Sequence, residues 1–230
     1  MKVNYIIAAM LAVATTAFAG QSVVPAPAPA VSAPSVQSWG IELAGVYNWG
    51  LNKPVKHEIA GKRNHINGIG GDITGVYNFD ENNAVTLRFG YTWGNDKFAT
   101  IYSDGYETVS GRFKETIHTF TIMPGYRYTY AINDQWSVYA GANVGLACEL
   151  LRMEKTVFDD TERAHGHGWG FAYSVEVGGR YVIDTNWEAF AALSFSGNTA
   201  SAKVKHNSHT VAKGAHHNYL GVRLGVGYKF

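Results

Sequence analysis

Nine histidines are the residues of this chain best suited to chemistry, because an imidazole binds metal ions and gains a proton near pH 6.5. The pairs His165/His167 and His206/His209 have spacings that zinc or copper ligands can adopt. Glycine-rich loops often carry solvated histidines, so we favour a polar surface and assign no metal site. All nine lie in predicted surface loops or their rims: His57, His65, His118, His165, His167, His206, His209, His216 and His217.

A second candidate for chemistry is the segment His206-Asn207-Ser208, because a hydroxyl becomes a nucleophile only beside a base. We expect this segment to lie in a loop, and no acidic residue that could orient the histidine is obvious nearby. A pattern of three residues also arises easily by chance. We therefore predict that the protein is not an enzyme, with no catalytic residue and no cofactor.

Composition excludes several classes of protein. The single cysteine, Cys148, rules out an internal disulfide framework and a cysteine-based zinc site. A formal net charge of +1 argues against a nucleic acid partner. After the N-terminal segment no apolar run reaches the length of a membrane-spanning helix, so a chain that crosses a bilayer must do so as a closed sheet.

The N-terminal segment predicts export. Residues 1–19 combine a basic start, a short apolar run and the exit Ala17-Phe18-Ala19, which is typical of a cleaved signal peptide. Residues 20–38 are rich in proline and alanine and carry no charge, and we predict a flexible arm. The folded domain is expected over residues 39–230.

Within that domain, eight segments alternate between an apolar row and a polar or small row, as strands with one oily face do. A strand of about ten residues is the length needed to cross a membrane at a tilt. The last segment runs YLGVRLGVGYKF and places Phe230 in its apolar row. The eight segments are 39–49, 69–79, 85–93, 118–130, 136–149, 169–181, 187–196 and 219–230.

The connections alternate in length. Short turns are predicted at Asp80–Asn83, Ala131–Gln135 and Asp184–Asn186, and the other four connections run to roughly twenty residues each. This pattern predicts an all-β, eight-stranded, antiparallel up-and-down transmembrane β-barrel with long surface loops. A bulge is expected at Pro124, because proline cannot donate to a ladder. Ten strands are the alternative if part of the second or fourth loop pairs within the membrane.

The two rows face different surroundings. Each apolar row is rich in aromatic residues, which indicates an outward, lipid-facing side, whereas a soluble barrel would place its oily row inside. Aromatic residues gather at the end with the short turns and predict an interfacial girdle. Its members are Trp39, Phe79, Tyr128, Tyr130, Trp136, Tyr181, Trp187, Tyr228 and Phe230.

The inward row carries four acids and four arginines. Charges enclosed in a narrow barrel are costly unless they pair, so we expect ion pairs that plug the lumen, and a narrow porin-like channel is the alternative. A catalytic carboxylate is a third, less favoured interpretation. The eight residues are Glu42, Asp72, Glu176, Glu188, Arg88, Arg127, Arg180 and Arg223.

On these features the chain resembles the small outer-membrane β-barrel proteins, which include the OmpA transmembrane domain, the OmpX/Ail group and the opacity-type proteins. The likeness covers residues 39–230 and rests on the topology and on three motifs: Met123-Pro124-Gly125-Tyr126-Arg127-Tyr128, Trp136-Ser137-Val138-Tyr139-Ala140-Gly141 and Gly227-Tyr228-Lys229-Phe230. It implies an integral protein of the bacterial outer membrane, with the N-terminal arm in the periplasm. The implied roles are adhesion or envelope integrity. Some such barrels deacylate lipid A with a His-x-Ser pair, which gives an enzymatic alternative.

The expected partners are outer-membrane lipid and lipopolysaccharide, the barrel-assembly machinery and a host surface ligand, and no nucleic acid. The terminal strand resembles the signal read by the barrel-assembly machinery, and the loops could engage a host surface ligand. Basic residues of the first and fourth loops are expected to attract the phosphates of lipopolysaccharide. These residues are Lys53, Lys56, Lys62, Arg63, Lys203, Lys205 and Lys213.

Overall fold

The computed structural model describes residues 38–51, 66–103, 108–157, 160–200, 203–206, 209–213 and 217–230. The predicted signal peptide, most of the predicted arm and most of the first loop lie outside these ranges. No helix in the described ranges has the length and apolarity needed to cross a membrane. The strands are β1 (Ser38–Gly50), β2 (Gly68–Asn78), β3 (Asn83–Ser103), β4 (Thr108–Ala131), β5 (Trp136–Val157), β6 (Asp160–Val182), β7 (Trp187–Asn198), β8 (Lys203–His206), β9 (His209–Lys213) and β10 (His217–Lys229).

Eight of these strands close into an antiparallel barrel, which confirms the predicted fold. Each strand from β1 to β6 pairs with the next strand along the chain, and β10 pairs with both β7 and β1. The short strands β8 and β9 form a hairpin that joins β6 only at Gly166 and His167, beyond the point where the pairing of β6 with β7 ends. The fourth connection therefore adds a hairpin at the rim of the barrel and does not add strands to its wall.

The second and third long connections differ from the prediction. They are β-hairpins: the pairing of β3 with β4 continues to Ser103↔Thr108, and that of β5 with β6 to Val157↔Asp160. At about 3.3 Å per residue, β3 is roughly 70 Å long, whereas the apolar band of such barrels is about 25 Å tall. The outer halves of these four strands thus project beyond the membrane as paired sheet, because backbone pairing does not stop where the lipid ends.

All three short connections use the same turn. An Asp or Asn side chain accepts hydrogen bonds from the backbone N–H groups two and three residues later, at 2.7 to 2.9 Å. Such Asx bonds mimic a backbone turn and hold the hairpin closed. The capping residues are Asp80, Asn133 and Asp184.

The same turns connect each hairpin to the next one. The carbonyl of Asn82 accepts from the N–H of Thr129 at 2.7 Å, and the carbonyl of Asn186 accepts from Lys229 at 2.8 Å. The side-chain amides of Asn82 and Asn186 also donate to the carbonyls of these two strand residues, both at 2.8 Å. The turn end of the barrel is therefore a continuous hydrogen-bonded ring.

The prediction of a bulge at Pro124 is wrong. The β4–β5 ladder pairs Ile122 with Leu146 and then resumes at Gly125 with Asn143, so the register is the same on both sides of the break. The missing N–H of proline interrupts the ladder over Met123 and Pro124 without inserting an extra residue.

The barrel has its polar side chains inside and its apolar side chains outside, as predicted. Trp39 is 62% exposed and Phe230 77%, whereas Glu42 and Arg127 are each 2% exposed. In water this arrangement would be unstable, and it fits a lipid boundary. Aromatic pairs surround the turn end of the outer surface, with ring centroids 4.6 to 5.2 Å apart: Trp39–Tyr77, Trp136–Tyr181, Trp187–Tyr228 and Tyr228–Phe230.

The Asx bonds give a first testable prediction. Replacing Asn133→Ala removes both bonds to Gln135 and Trp136 and should lower the free energy of unfolding by about 1 kcal/mol. The matched control is Asp134→Ala, which changes an exposed side chain of the same turn that makes no hydrogen bond within the described part of the chain. Urea unfolding of the refolded barrel measures both. Equal losses in the two variants would contradict the role given to Asn133.

Candidate functional site

The lumen is the candidate functional site, because it holds the eight charged residues predicted to point inward. All eight are buried there, which confirms the predicted faces of the strands. Each lies at an inward position of its strand, two residues from the next inward position. The strands supply them as follows: Glu42 from β1, Asp72 from β2, Arg88 from β3, Arg127 from β4, Glu176 and Arg180 from β6, Glu188 from β7, and Arg223 from β10.

In the half of the lumen near the turns, Glu42 is the central acceptor. Arg127 donates to both of its oxygens, with Nη1–Oε1 at 2.5 Å and Nη2–Oε2 at 2.9 Å, and Arg180 donates to Oε1 as well. Arg180 also pairs with Glu188, whose second oxygen lies 3.0 Å from Lys229 Nζ at the rim. A two-pronged guanidinium–carboxylate contact fixes both partners in orientation.

In the middle of the lumen, Arg223 joins two acids from different strands. Its Nε and Nη2 donate to the two oxygens of Asp72 at 2.9 and 2.6 Å, and its Nη1 donates to Glu176 Oε2 at 2.7 Å. The other oxygen of Glu176 accepts from Arg88 Nη2, also at 2.7 Å. All four predicted acids and all four predicted arginines are therefore paired.

Two aromatic rings pack against the guanidinium groups. The Tyr139 ring centroid lies 4.8 Å from Arg127 Cζ and 4.9 Å from Arg180 Cζ, and Phe190 lies 5.4 Å from Arg223. Glycine makes room for both rings: a Cβ at Gly178 would lie 2.7 Å from Tyr139, and one at Gly225 would lie 2.6 Å from Phe190. The rings occupy the space between the charges and add cation–π attraction.

Neutral polar side chains lie among the charged residues of the lumen. Asn143 accepts from Thr86 at 3.0 Å and donates to Ser174 at 3.2 Å. A cavity of about 80 Å³ extends from Asp72, Arg88 and Arg223 toward the outer end of the lumen, and its lining includes the hydroxyl side chains of Thr92, Thr119, Thr121, Ser194, Ser196 and Tyr219. This volume is large enough for water molecules and too small for a drug-sized ligand.

Sequence reasoning missed a second charged group, at the outer end of the lumen. Asp96, Glu115 and His217 fall in predicted loops, but they are buried inward residues of β3, β4 and β10. Glu149 of β5, at the end of the predicted fifth segment, is fully buried beside them. The available signal was the inward row alone, which keeps a polar residue or glycine at every second position from Arg88 through Thr92 to Asp96.

The other histidines do not converge in the part of the chain that the structure describes. His165 and His167 lie on the outer face of β6, and His118 bonds to Tyr91 Oη at 2.8 Å. His206 and His209 are register partners at the β8–β9 turn, and the Asn207-Ser208 part of the His-x-Ser pattern lies outside the described ranges. Within those ranges no three His, Cys, Asp or Glu side chains are placed to hold one metal ion.

A second testable prediction compares buried and exposed ion pairs. Glu42→Gln removes the close anion of the buried Arg127 guanidinium and one of the two anions of Arg180, and it should lower the free energy of unfolding by about 3 to 5 kcal/mol. Glu154→Gln is the matched control, because Glu154 also lies beside several cations but on the solvated outer part of β5, where ion pairs contribute little. Urea unfolding in lipid vesicles measures both. A loss in the control as large as that in Glu42→Gln would contradict the account.

Comparison with known proteins gives low sequence identity to individual proteins. Among solved structures, the chain is similar to Ail of Yersinia pestis (15% identity, 85% of this chain and 100% of Ail, TM-score 0.44). OprG of Pseudomonas aeruginosa has 15% identity over 85% of this chain and 97% of OprG, with a TM-score of 0.48. AlkL has 17% identity over 90% of this chain and 97% of AlkL, with a TM-score of 0.47. No curated protein matches the chain significantly.

A family model matches nearly the whole chain. The model of the outer membrane protein beta-barrel domain covers residues 6–230. A closed barrel of eight antiparallel strands, with polar side chains inside and apolar and aromatic side chains outside, agrees with such a domain. The chain therefore belongs to the outer membrane protein beta-barrel family and is a protein of the bacterial outer membrane.

Proposed function

We propose that this protein is a sealed outer-membrane barrel that acts through its extracellular surface, in an envelope-stabilising or adhesive role. The observation that carries the proposal is the pairing of all eight predicted lumen charges. An open channel would keep such charges hydrated and free to meet ions, whereas these form short contacts with one another. A narrow porin-like channel is the alternative.

The ion pairs support a seal because they reach across the lumen. Arg127 of β4 binds Glu42 of β1, three strands away around the wall, and Arg88 of β3 binds Glu176 of β6, also three strands away. An eight-stranded barrel has an interior only wide enough for side chains. Side chains from distant strands that meet at 2.5 to 2.7 Å support the proposal that no continuous aqueous path crosses the lumen.

The extracellular surface offers a cationic patch, which we define as Lys114, Arg152 and Arg163. The three side chains surround Glu154 at 3.7, 2.9 and 3.3 Å and are 47%, 47% and 60% exposed. Burial alone would raise the pKa of Glu154, but the three cations lower it below its usual value, so its carboxylate stays ionised. The patch with Glu154 therefore keeps a net charge of +2, three cations less one anion.

The position of the cationic patch indicates its partner. Arg152 follows Leu150 on the outer face of β5, at a distance of about 7 Å along the strand. Leu150 and Trp169 belong to the exposed apolar surface, at 43% and 70% exposure. The cations thus stand directly beyond the lipid-facing band, at the level where phosphates of lipopolysaccharide lie. Charge attraction at this level makes lipopolysaccharide the proposed first partner.

A third testable prediction addresses this partner. The double variant Arg152→Gln/Arg163→Gln should bind lipopolysaccharide more weakly than the wild-type protein. Added salt should weaken binding by the wild-type protein more than binding by the variant, because the variant has fewer ionic contacts for salt to screen. Calorimetry in detergent micelles measures the binding. The control is Lys229→Gln, which removes a cation at the opposite rim of the barrel. Unchanged binding by the double variant, or an equal loss in the control, would contradict the proposal.

The remaining partners belong to the same proposal. β10 carries the alternating apolar pattern expected of the strand that the barrel-assembly machinery reads, and its partner β1 closes the barrel against it. The predicted N-terminal arm is proposed to be periplasmic, because β1 begins at the turn end of the barrel, where Phe230 N–H donates to the carbonyl of Trp39 at 2.9 Å. Binding of a host ligand by the extracellular hairpins and modification of lipid A are further alternative functions.

A further inference from the structure

The outer end of the lumen contains a carboxylate whose oxygens have no hydrogen-bond partner. Glu149 is 0% exposed, and neither Oε1 nor Oε2 accepts a hydrogen bond in the described part of the chain. A buried carboxylate without a donor is strongly disfavoured, because its hydration has been lost and not replaced. In the lower lumen each acid accepts from at least one guanidinium. Glu149 is therefore in a different situation, which points to a missing positive partner.

Facing Glu149 is an imidazole that is also without a hydrogen-bond partner. His217 is 3% exposed, and its Nε2 accepts and donates no hydrogen bond in the described residues. The distance from His217 Nε2 to Glu149 Oε2 is 3.5 Å. This separation is long for an N–H···O bond, which is typically 2.7 to 3.2 Å. The two atoms face one another but leave a gap between them.

The gap has the size expected for two ligands of one zinc ion. Zinc binds histidine nitrogen and carboxylate oxygen at about 2.1 Å, and at a tetrahedral angle two such ligand atoms are about 3.4 Å apart. The observed 3.5 Å matches this distance. We propose that Glu149 Oε2 and His217 Nε2 form a binding site for a divalent transition-metal cation, zinc above all, at the outer end of the lumen.

The charge at Glu149 favours a cation. Every acid of the lower lumen has an arginine at ion-pair distance. For Glu149, the one such partner among the described residues is His217, which is charged only when protonated. A histidine that binds a metal is neutral, so the ion would supply the positive charge that the imidazole lacks. An ion of charge +2 would offset the buried carboxylate in a region where screening by water is weak.

The site would complete its coordination with water. Because no three described His, Cys, Asp or Glu side chains share a metal position, the described residues supply two ligands and leave the others open. The polar cavity of about 80 Å³ adjoins the site: its lining includes Thr119, the register partner of Glu149, and Tyr219, whose ring lies 6.1 Å from that of His217. Zinc sites with open coordination positions are typically exchangeable or reactive, whereas sites with four protein ligands are typically structural.

The experiment is a zinc titration of the full-length refolded protein by calorimetry, with cobalt(II) as a spectroscopic stand-in. Wild-type protein should bind one zinc ion in preference to any others. Glu149→Gln and His217→Gln should each weaken this site about tenfold or more, since each removes one of two protein ligands. The matched controls Glu154→Gln and His165→Gln change residues of the same types on the outer surface and should bind zinc as the wild type does.

Three results would overturn the proposal: no zinc binding by the wild-type protein, undiminished binding in either lumen variant, or an equal loss in a control. Heat-dependent gel mobility shows whether each variant is folded. If the lumen variants do not fold, the cobalt spectrum of the wild-type protein decides. Intense visible bands of four-coordinate cobalt support the site, and weak bands of six-coordinate, hydrated cobalt overturn it. These outcomes do not depend on lipopolysaccharide binding, so the zinc site and the proposed function can fail separately.

Discussion

Removing a carboxylate or a guanidinium from water costs several kcal/mol per ion, and this cost governs the interior of the barrel. Glu42, Arg127 and their neighbours can be enclosed only because each meets an opposite charge at hydrogen-bond distance. The partners come from distant strands, so the pairs also join the walls to one another. In a protein whose outer surface faces lipid, these contacts take the place that apolar packing has in a soluble core.

The other features of the barrel follow from this network. Glycines at 178 and 225 admit the rings that pack against the guanidiniums, and the Asx turns hold the ends of the strands that carry the charges. The outer lumen is different, since Glu149 and His217 face one another without a hydrogen bond. The barrel thus combines a lower half of paired charges with an outer end whose buried carboxylate accepts no hydrogen bond from the described residues. The proposed functions divide in the same way. The lower half closes the lumen, and the outer end binds a cation and contacts lipopolysaccharide.

Much of this architecture could be predicted because a two-residue alternation reports directly on which face is buried. Glu42 and Arg127 were placed inside from their spacing alone, and the short turns from their Asp and Asn residues. The extent of β3 and β4 was not predictable in the same way, because beyond Trp93 the outer row is no longer apolar and the alternation loses its contrast. Asp96, Glu115 and His217 were consequently missed. The choice of partners across the lumen, such as Arg223 with Asp72, depends on strand stagger and cannot be inferred from periodicity.

The most direct test of the central claim, that ion pairs close the lumen, is single-channel conductance in a planar bilayer. The wild-type protein should be silent when heat-dependent gel mobility shows that it is folded. The variant Glu42→Ala/Arg127→Ala/Glu176→Ala/Arg223→Ala removes one pair from each of the two lumen clusters and keeps the net charge, and it should conduct ions. Steady, reproducible conductance by the wild-type protein would contradict the claim and make the narrow channel the better account.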